Sequence, residues 1–266
     1  MTPDQIKAAA AALVDAENSR VQTGVLSVAH PDISMEDAYA VQDAFVGAKL
    51  AAGGCVKGWK IGLTSRAMQM ALGIDIPDSG VLFEDMFFDS GSTVPKGRFI
   101  EPRIEAEIAF ILRDDLSGKD VTRADVLAAT AYVAPALEIL DTRILRKDPE
   151  TGVARKVFDT IADNAANAGI VLGNERHAPD DYDLGWVGAI VSRNDTVEET
   201  GLGAGVLNDP VMGMVWLVQR LAEYGRGLRA GDVVLSGSFI RPIEAPAGSH
   251  FVADYADFGR VEISFG

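Results

Sequence analysis

The chain has 266 residues, 48% hydrophobic and 24% charged, an ordinary globular composition with enough length for one large core. Its 39 acidic residues outnumber 24 basic ones, for a net charge of −15, and no dense Lys/Arg cluster is present, so nucleic acid and anionic membrane are not expected partners. One cysteine, Cys55, excludes an internal disulfide and fits a cytoplasmic protein; the N-terminus has no signal-like pattern, and no apolar run reaches the roughly 20 residues that span a bilayer.

Thr2-Pro3-Asp4-Gln5 reads as a capped helix start, and the alanine-rich run to about Asn18 as the helix. Ser34-Met-Glu-Asp37 starts a second helix, with Tyr39, Val41, Phe45, Val46 and Leu50 at helical spacing and Gly53-Gly54 as its stop. Gly58-Trp-Lys-Ile-Gly-Leu-Thr-Ser65 then places a lysine inside a short apolar strand. Lys60 is either buried with a task, since desolvation disfavours its charge, or snorkels from a strand edge. Ser65 caps a short helix to about Leu72. Residues 73 to 100, punctuated by Gly73, Pro77-Asp78-Ser79-Gly80, Asp89-Ser90-Gly91 and Pro95, read as a long connecting loop.

Residues 101 to 112, Glu-Pro-Arg-Ile-Glu-Ala-Glu-Ile-Ala-Phe-Ile-Leu, alternate charged Arg103, Glu105 and Glu107 with apolar Ile104, Ala106, Ile108 and Phe110. That period of two is a half-buried strand with both glutamates on one face, their Cα atoms roughly 7 Å apart. Two like charges so placed are either half of a site for a hard divalent cation or the solvated face of an edge strand. Thr122 to Tyr132 reads as a helix, and Val133 to Asp141 as a second apolar strand carrying one carboxylate, Glu138, between Leu137 and Ile139. A buried acid needs a partner, which makes Glu138 a natural third ligand beside Glu105 and Glu107. Arg155-Lys156 lead through Thr160 into a small, polar, turn-like run, Ile161 to Gly169; these cations could meet substrate carboxylates or be plain surface charges. Leu184 to Val191 reads as a strand, Arg193-Asn-Asp-Thr196 as a hairpin turn, and Val197 to Thr200 as its return. Asp209-Pro210 starts a helix to about Tyr224; Val233-Val-Leu235 and Arg260 to Phe265 are further strands. Helices first, then a strand-rich body with inserted helices, is an α+β order. Residues 1–75 form the mainly helical region and 76–266 the strand-rich catalytic body. No nucleotide-binding glycine fingerprint, Walker loop, nucleophile elbow or H-E-x-x-H is present.

Five motifs occur together in order: Gly58 to Ser65, Pro77-Asp-Ser-Gly80, Glu101 to Glu107, Pro135-Ala-Leu-Glu-Ile-Leu-Asp141 and Phe158-Asp-Thr-Ile-Ala-Asp-Asn-Ala165. In this combination the chain resembles, over its whole length, the hydratase/decarboxylase family of the fumarylacetoacetase-type superfamily. The resemblance implies a mixed β-roll core behind an N-terminal helical part, and a homo-oligomer. It implies Mg²⁺ or Mn²⁺ on Glu105, Glu107 and Glu138, acid/base roles for Lys60 and Asp78, and a substrate contact from Lys156. The expected substrate is a small unsaturated 2-oxo dicarboxylate from 4-hydroxyphenylacetate breakdown. The expected reaction is isomerisation to the α,β-unsaturated ketone followed by addition of water. The alternatives are hydration of a 2-oxopentenoate, decarboxylation of an oxalocrotonate by a sister enzyme, or a structural partner subunit with no activity of its own.

Overall fold

The N-terminal capping box forms as its residues require. Gln5 N–H donates to Thr2 Oγ1 at 3.3 Å, and Thr2 N–H to Gln5 Oε1 at 2.7 Å, opening α1 (Pro3–Ser19). The computed structural model describes residues 1–72 and 74–266; Gly73, read above as a loop glycine, lies outside them. After α2 (Leu26–Ala29), Ser34 and Asp37 cap α3 (Met35–Ala51) in the same reciprocal way. Leu13, Val41 and Phe45 of these helices bury against Ile144 and Ile161, forming a satellite core under the N-terminal layer.

The chain continues through β1 (Val56–Gly62), α4 (Arg66–Leu72), β2 (Asp78–Phe83), β3 (Phe87–Asp89) and β4 (Thr93–Val94). Next come β5 (Arg103–Leu112), α5 (Arg123–Ala129), β6 (Thr130–Leu140), α6 (Val157–Ala162) and β7 (Asn167–Leu172). The last third holds β8 (Gly188–Arg193), β9 (Thr196–Leu202), α7 (Pro210–Glu223), β10 (Val233–Leu235), β11 (Ile243–Glu244), β12 (His250–Asp254) and β13 (Arg260–Phe265). Among the described residues the strands form two sheets. The larger runs β2-β1-β10-β5-β6-β7-β3, with β11 also on β5; the smaller runs β4-β13-β12-β8-β9. Pairing is mixed: β1–β10, β3–β7 and β4–β13 are parallel, and the β5–β6 ladder is antiparallel. The α+β class follows from the element order as read in the sequence. No helix among the described residues is long and apolar enough to cross a membrane.

Four sequence readings change. Residues 73 to 100 are not one connecting loop, because Asp78 to Phe83 form a fully buried strand paired along β1. The Ser79-Gly80 pair that suggests a turn is there for closeness: a Cβ on Gly80 would meet the Asn164 carbonyl oxygen at 2.5 Å. β5 is not an edge strand; it lies between β10 and β6, buried on both faces from Ala106 onward. The helix begun by Thr122 stops at Ala129, where Thr130 Oγ1 donates to the Val126 carbonyl at 2.7 Å and Thr130 opens β6. β8 begins only at Gly188, after a turn through Leu184 to Val187. The 75/76 line falls between β1 and β2, which pair with each other, so the N-terminal region contributes an interior strand to the large sheet. Ile104, Ile108 and Phe110, on the apolar face of β5, pack with Met214, Leu217 and Val218 of α7 in the main core. The other face of β5 carries the charged residues.

Candidate metal centre

Strand geometry brings the acids together. The antiparallel register sets Glu105 of β5 directly opposite Glu138 of β6, and Glu107 lies two residues along the same face. One carboxylate oxygen from each of Glu105, Glu107 and Glu138 lies within 4.8 Å of the others. Glu107 and Glu138 are 0% exposed, Asp78 1% and Lys60 3%, while Glu105 is half-buried and opens on a cavity. Lys60 comes from β1, an interior strand, which removes the snorkelling alternative; its Nζ lies 3.4 Å from Glu138 Oε1. Asp78 starts β2 opposite Gly62, two residues beyond Lys60.

The second contacts orient the first. Gly237 N–H donates to Glu107 Oε2 at 2.7 Å, and Asn167 Nδ2 donates to Glu138 Oε1 at 2.8 Å. The Tyr255 hydroxyl accepts from the Glu107 N–H at 3.0 Å and donates toward the Ala136 carbonyl at 2.7 Å, clamping β5 to β6 beside the acids. None of Asn167, Gly237 or Tyr255 stands out in the sequence. Asn167 offers the one signal: a polar side chain in a run of alanines that precedes a buried strand.

After these bonds, Glu107 Oε1, Glu138 Oε2 and Asp78 Oδ1 remain buried with no hydrogen-bond partner. Burial, reinforced by Glu138, pushes the Glu105 carboxyl up to about 8. Burial, Glu138 and Glu105 hold Glu107 well above the ordinary carboxylate range. Burial likewise raises Asp78 to about 6, against the opposing charge of Lys60. For Lys60 burial disfavours the ammonium, but Glu138, Asp78, Glu105 and Glu107 together outweigh it and raise its pKa. Four carboxylates thus surround one ammonium, and three of their buried oxygens have no hydrogen-bond partner. An all-oxygen donor set short of positive charge fits a hard divalent cation.

Glu105, Lys60 and Asp78 line a cavity of about 500 Å³ together with Ile61, Leu140, Phe239 and Ile240. Lys156, the residue before α6, is exposed at its rim and touches none of the acids. Arg103 and Arg155 line the same cavity. Gly62 separates Lys60 from Asp78 for a steric reason: a Cβ there would collide with Asp78 Oδ1 and stand 3.0 Å from Lys60 Nζ. Gly62→Ala is therefore expected to lower turnover by about 100-fold by displacing Lys60 and Asp78. Cation binding at the glutamates should stay within a few-fold; calorimetry that finds cation binding lost in step with turnover would contradict this division.

No protein-family model matches the chain. Individual relatives do. A 2-oxo-hept-4-ene-1,7-dioate hydratase of Escherichia coli is 51% identical over 253 residues, covering 95% of each chain. A 2-keto-4-pentenoate hydratase of Paraburkholderia xenovorans (strain LB400) is 38% identical over 265 residues, covering 100% of this chain and 96% of that one. Among solved structures, 4-oxalocrotonate decarboxylase from Pseudomonas putida G7, complexed with magnesium and adipate, superposes with a TM-score of 0.93 at 29% identity over 100% of this chain and 99% of that one. With near-complete coverage by relatives of this similarity, the chain belongs to the hydratase/decarboxylase family, and it shares the fold of more distant structures such as the fumarylpyruvate hydrolase of Pseudomonas aeruginosa, at a TM-score of 0.56 and 14% identity over 78% of this chain and 88% of that one.

Proposed function

We propose that this protein hydrates 2-oxohept-4-ene-1,7-dioate to 4-hydroxy-2-oxoheptane-1,7-dioate in the breakdown of 4-hydroxyphenylacetate. The observation that carries the reading is the cluster of Glu105, Glu107 and Glu138, whose half-buried member Glu105 lines, with Lys60 and Asp78, a cavity sized for a small dicarboxylate. Glu105, Glu107 and Glu138 would hold the cation, with magnesium the favoured ion and manganese a substitute. When bound, the cation polarises the 2-oxo group and so makes the neighbouring C–H acidic. Lys60 and Asp78 pass the proton from C3 to C5, which moves the double bond into conjugation. Water then adds across C3–C4, its hydroxyl to C4 and its proton to C3. The apolar walls, Ile61 and Leu140 among them, keep bulk water from competing for these protons.

Lys156 at the rim is assigned a substrate-attracting role, supported by its place at the mouth of this acidic protein's cavity. A homo-oligomer is proposed through the outer face of the small sheet, where Trp186 is 75% exposed and Ile190, Val197 and Leu202 are also open; light scattering would test it. A cytoplasmic setting goes with the single, free cysteine.

Oxalocrotonate decarboxylation is the second reading, favoured by the TM-score of 0.93 to the Pseudomonas decarboxylase, whereas the 51% identity is to a hydratase. A spectrophotometric assay with the seven-carbon dioate, Mg²⁺ and parallel CO₂ detection separates them. Loss of the conjugated absorbance without CO₂, abolished by EDTA and yielding the 4-hydroxy product, is the expected result. CO₂ release from an oxalocrotonate substrate without hydration of the dioate would reverse the assignment. Failure to turn over either would favour the partner-subunit alternative.

A further inference from the structure

We propose that Arg103 and Arg155 form the subsite for the substrate's distal carboxylate and set a preference for dicarboxylic over monocarboxylic 2-oxo acids; this rests on the hydratase reading above. In a chain with 39 acidic and 24 basic residues, an inward-lying arginine should find a carboxylate easily. Among the described residues neither Arg103 nor Arg155 forms an ion pair, although both line the cavity that holds Glu105, Lys60 and Asp78. Apart from Glu105, the acids nearby are already engaged. Glu244 and Glu101 pair with Arg146 at 2.7 and 3.2 Å, and Asp163 pairs with Arg143. Asp159 accepts from the Ser27 hydroxyl at 2.6 Å and from the Lys156 N–H at 2.7 Å. Arg241, which also lines the cavity, is committed to Glu199 at 2.5 Å. Arg103 Nε is buried with no hydrogen-bond partner.

Length and direction agree with this assignment. Arg103 and Glu105 alternate onto one face of β5, so their Cα atoms are roughly 7 Å apart along the strand. An extended seven-carbon chain, six bonds of about 1.5 Å in zigzag, spans about 7 to 8 Å between its terminal carbons. A 2-oxo acid headgroup at the triad would therefore carry its far carboxylate to the level of Arg103. Arg155 reaches the same end from another segment, held where its N–H donates to the Arg146 carbonyl at 3.0 Å. A guanidinium presents a planar fork that matches a carboxylate, which a lysine does not. A substrate without that carboxylate would leave both arginines unpaired and their desolvation uncompensated, which is how such a site rejects the shorter or monocarboxylic analogue.

Two saturated, unreactive probes of equal length test the proposal: 2-oxoheptanedioate and 2-oxoheptanoate, titrated calorimetrically into the wild-type protein with Mg²⁺. The dioate is expected to bind about 10- to 100-fold more tightly. Equal affinities would overturn the proposal without any variant, so a misfolded mutant cannot obscure it. Arg103→Met and Arg155→Met should each erode that ratio while 2-oxoheptanoate binding changes less than about three-fold. If both probes weaken in parallel, the arginines are structural and the proposal fails. An intact ratio in a protein that does not hydrate the alkene would overturn the hydratase reading while supporting the subsite.

Discussion

Glu107→Gln is expected to weaken Mg²⁺ binding by at least about 100-fold while leaving the metal-free protein as stable as wild type, or more so. The two effects have one cause. Glu107 is fully buried, and burial together with Glu138 and Glu105 disfavours its ionised form. The amide keeps the volume and can still accept the Gly237 N–H that now reaches Glu107 Oε2. It removes the group whose ionised form the neighbouring acids disfavour and offers them a donor. The same change takes an anionic oxygen from the position where a divalent cation needs it. A residue with only a packing role would show no such divergence. Titration calorimetry and thermal melts with and without Mg²⁺ measure both quantities; near-normal Mg²⁺ affinity in the variant would remove Glu107 from the ligand set.

Lys60→Met should have the complementary signature: turnover reduced by about 10²- to 10⁴-fold, with Mg²⁺ binding retained or tightened. The lysine is the only cation paired with the acidic cluster, 3.4 Å from Glu138 among the described residues. Removing it takes away the proposed proton donor and acceptor, but also a positive charge that would compete with Mg²⁺ for the same carboxylates. The metal-free variant should melt at a lower temperature than wild type, because the acids lose their partner, and added Mg²⁺ should recover most of the difference. Kinetics on the alkene substrate, alongside calorimetry, checks both halves. Activity within a few-fold of wild type would exclude Lys60 from proton transfer; loss of Mg²⁺ binding would recast it as a scaffold for the triad.

Local order determined more of this protein than its loops suggest. The capping boxes at Thr2, Ser34 and Thr122 start their helices where short-range hydrogen bonding demands, since both partners lie within three residues. Asn194 and Asp195 both take the left-handed conformation of the two-residue hairpin turn that joins β8 to β9. The alternation in residues 103 to 112 by itself put Arg103, Glu105 and Glu107 on one face, because the pleat has a period of two.

Tertiary structure decided everything that depends on which strands are neighbours. The charged alternation of β5 looks like an exposed edge until β10 and β6 close over both sides. The register that sets Glu138 against Glu105, and the β1–β2 pairing that brings Asp78 to Lys60, join residues far apart in the chain. Asp78 itself reads as part of a turn, because Ser79-Gly80 carry turn chemistry; only the close approach of Asn164 shows why a glycine stands inside a buried strand. Arg155 resembles any surface cation in sequence. Its pairing state is set by Arg146 and Arg143 taking the surrounding acids, a competition among side chains from separate segments that no local pattern records.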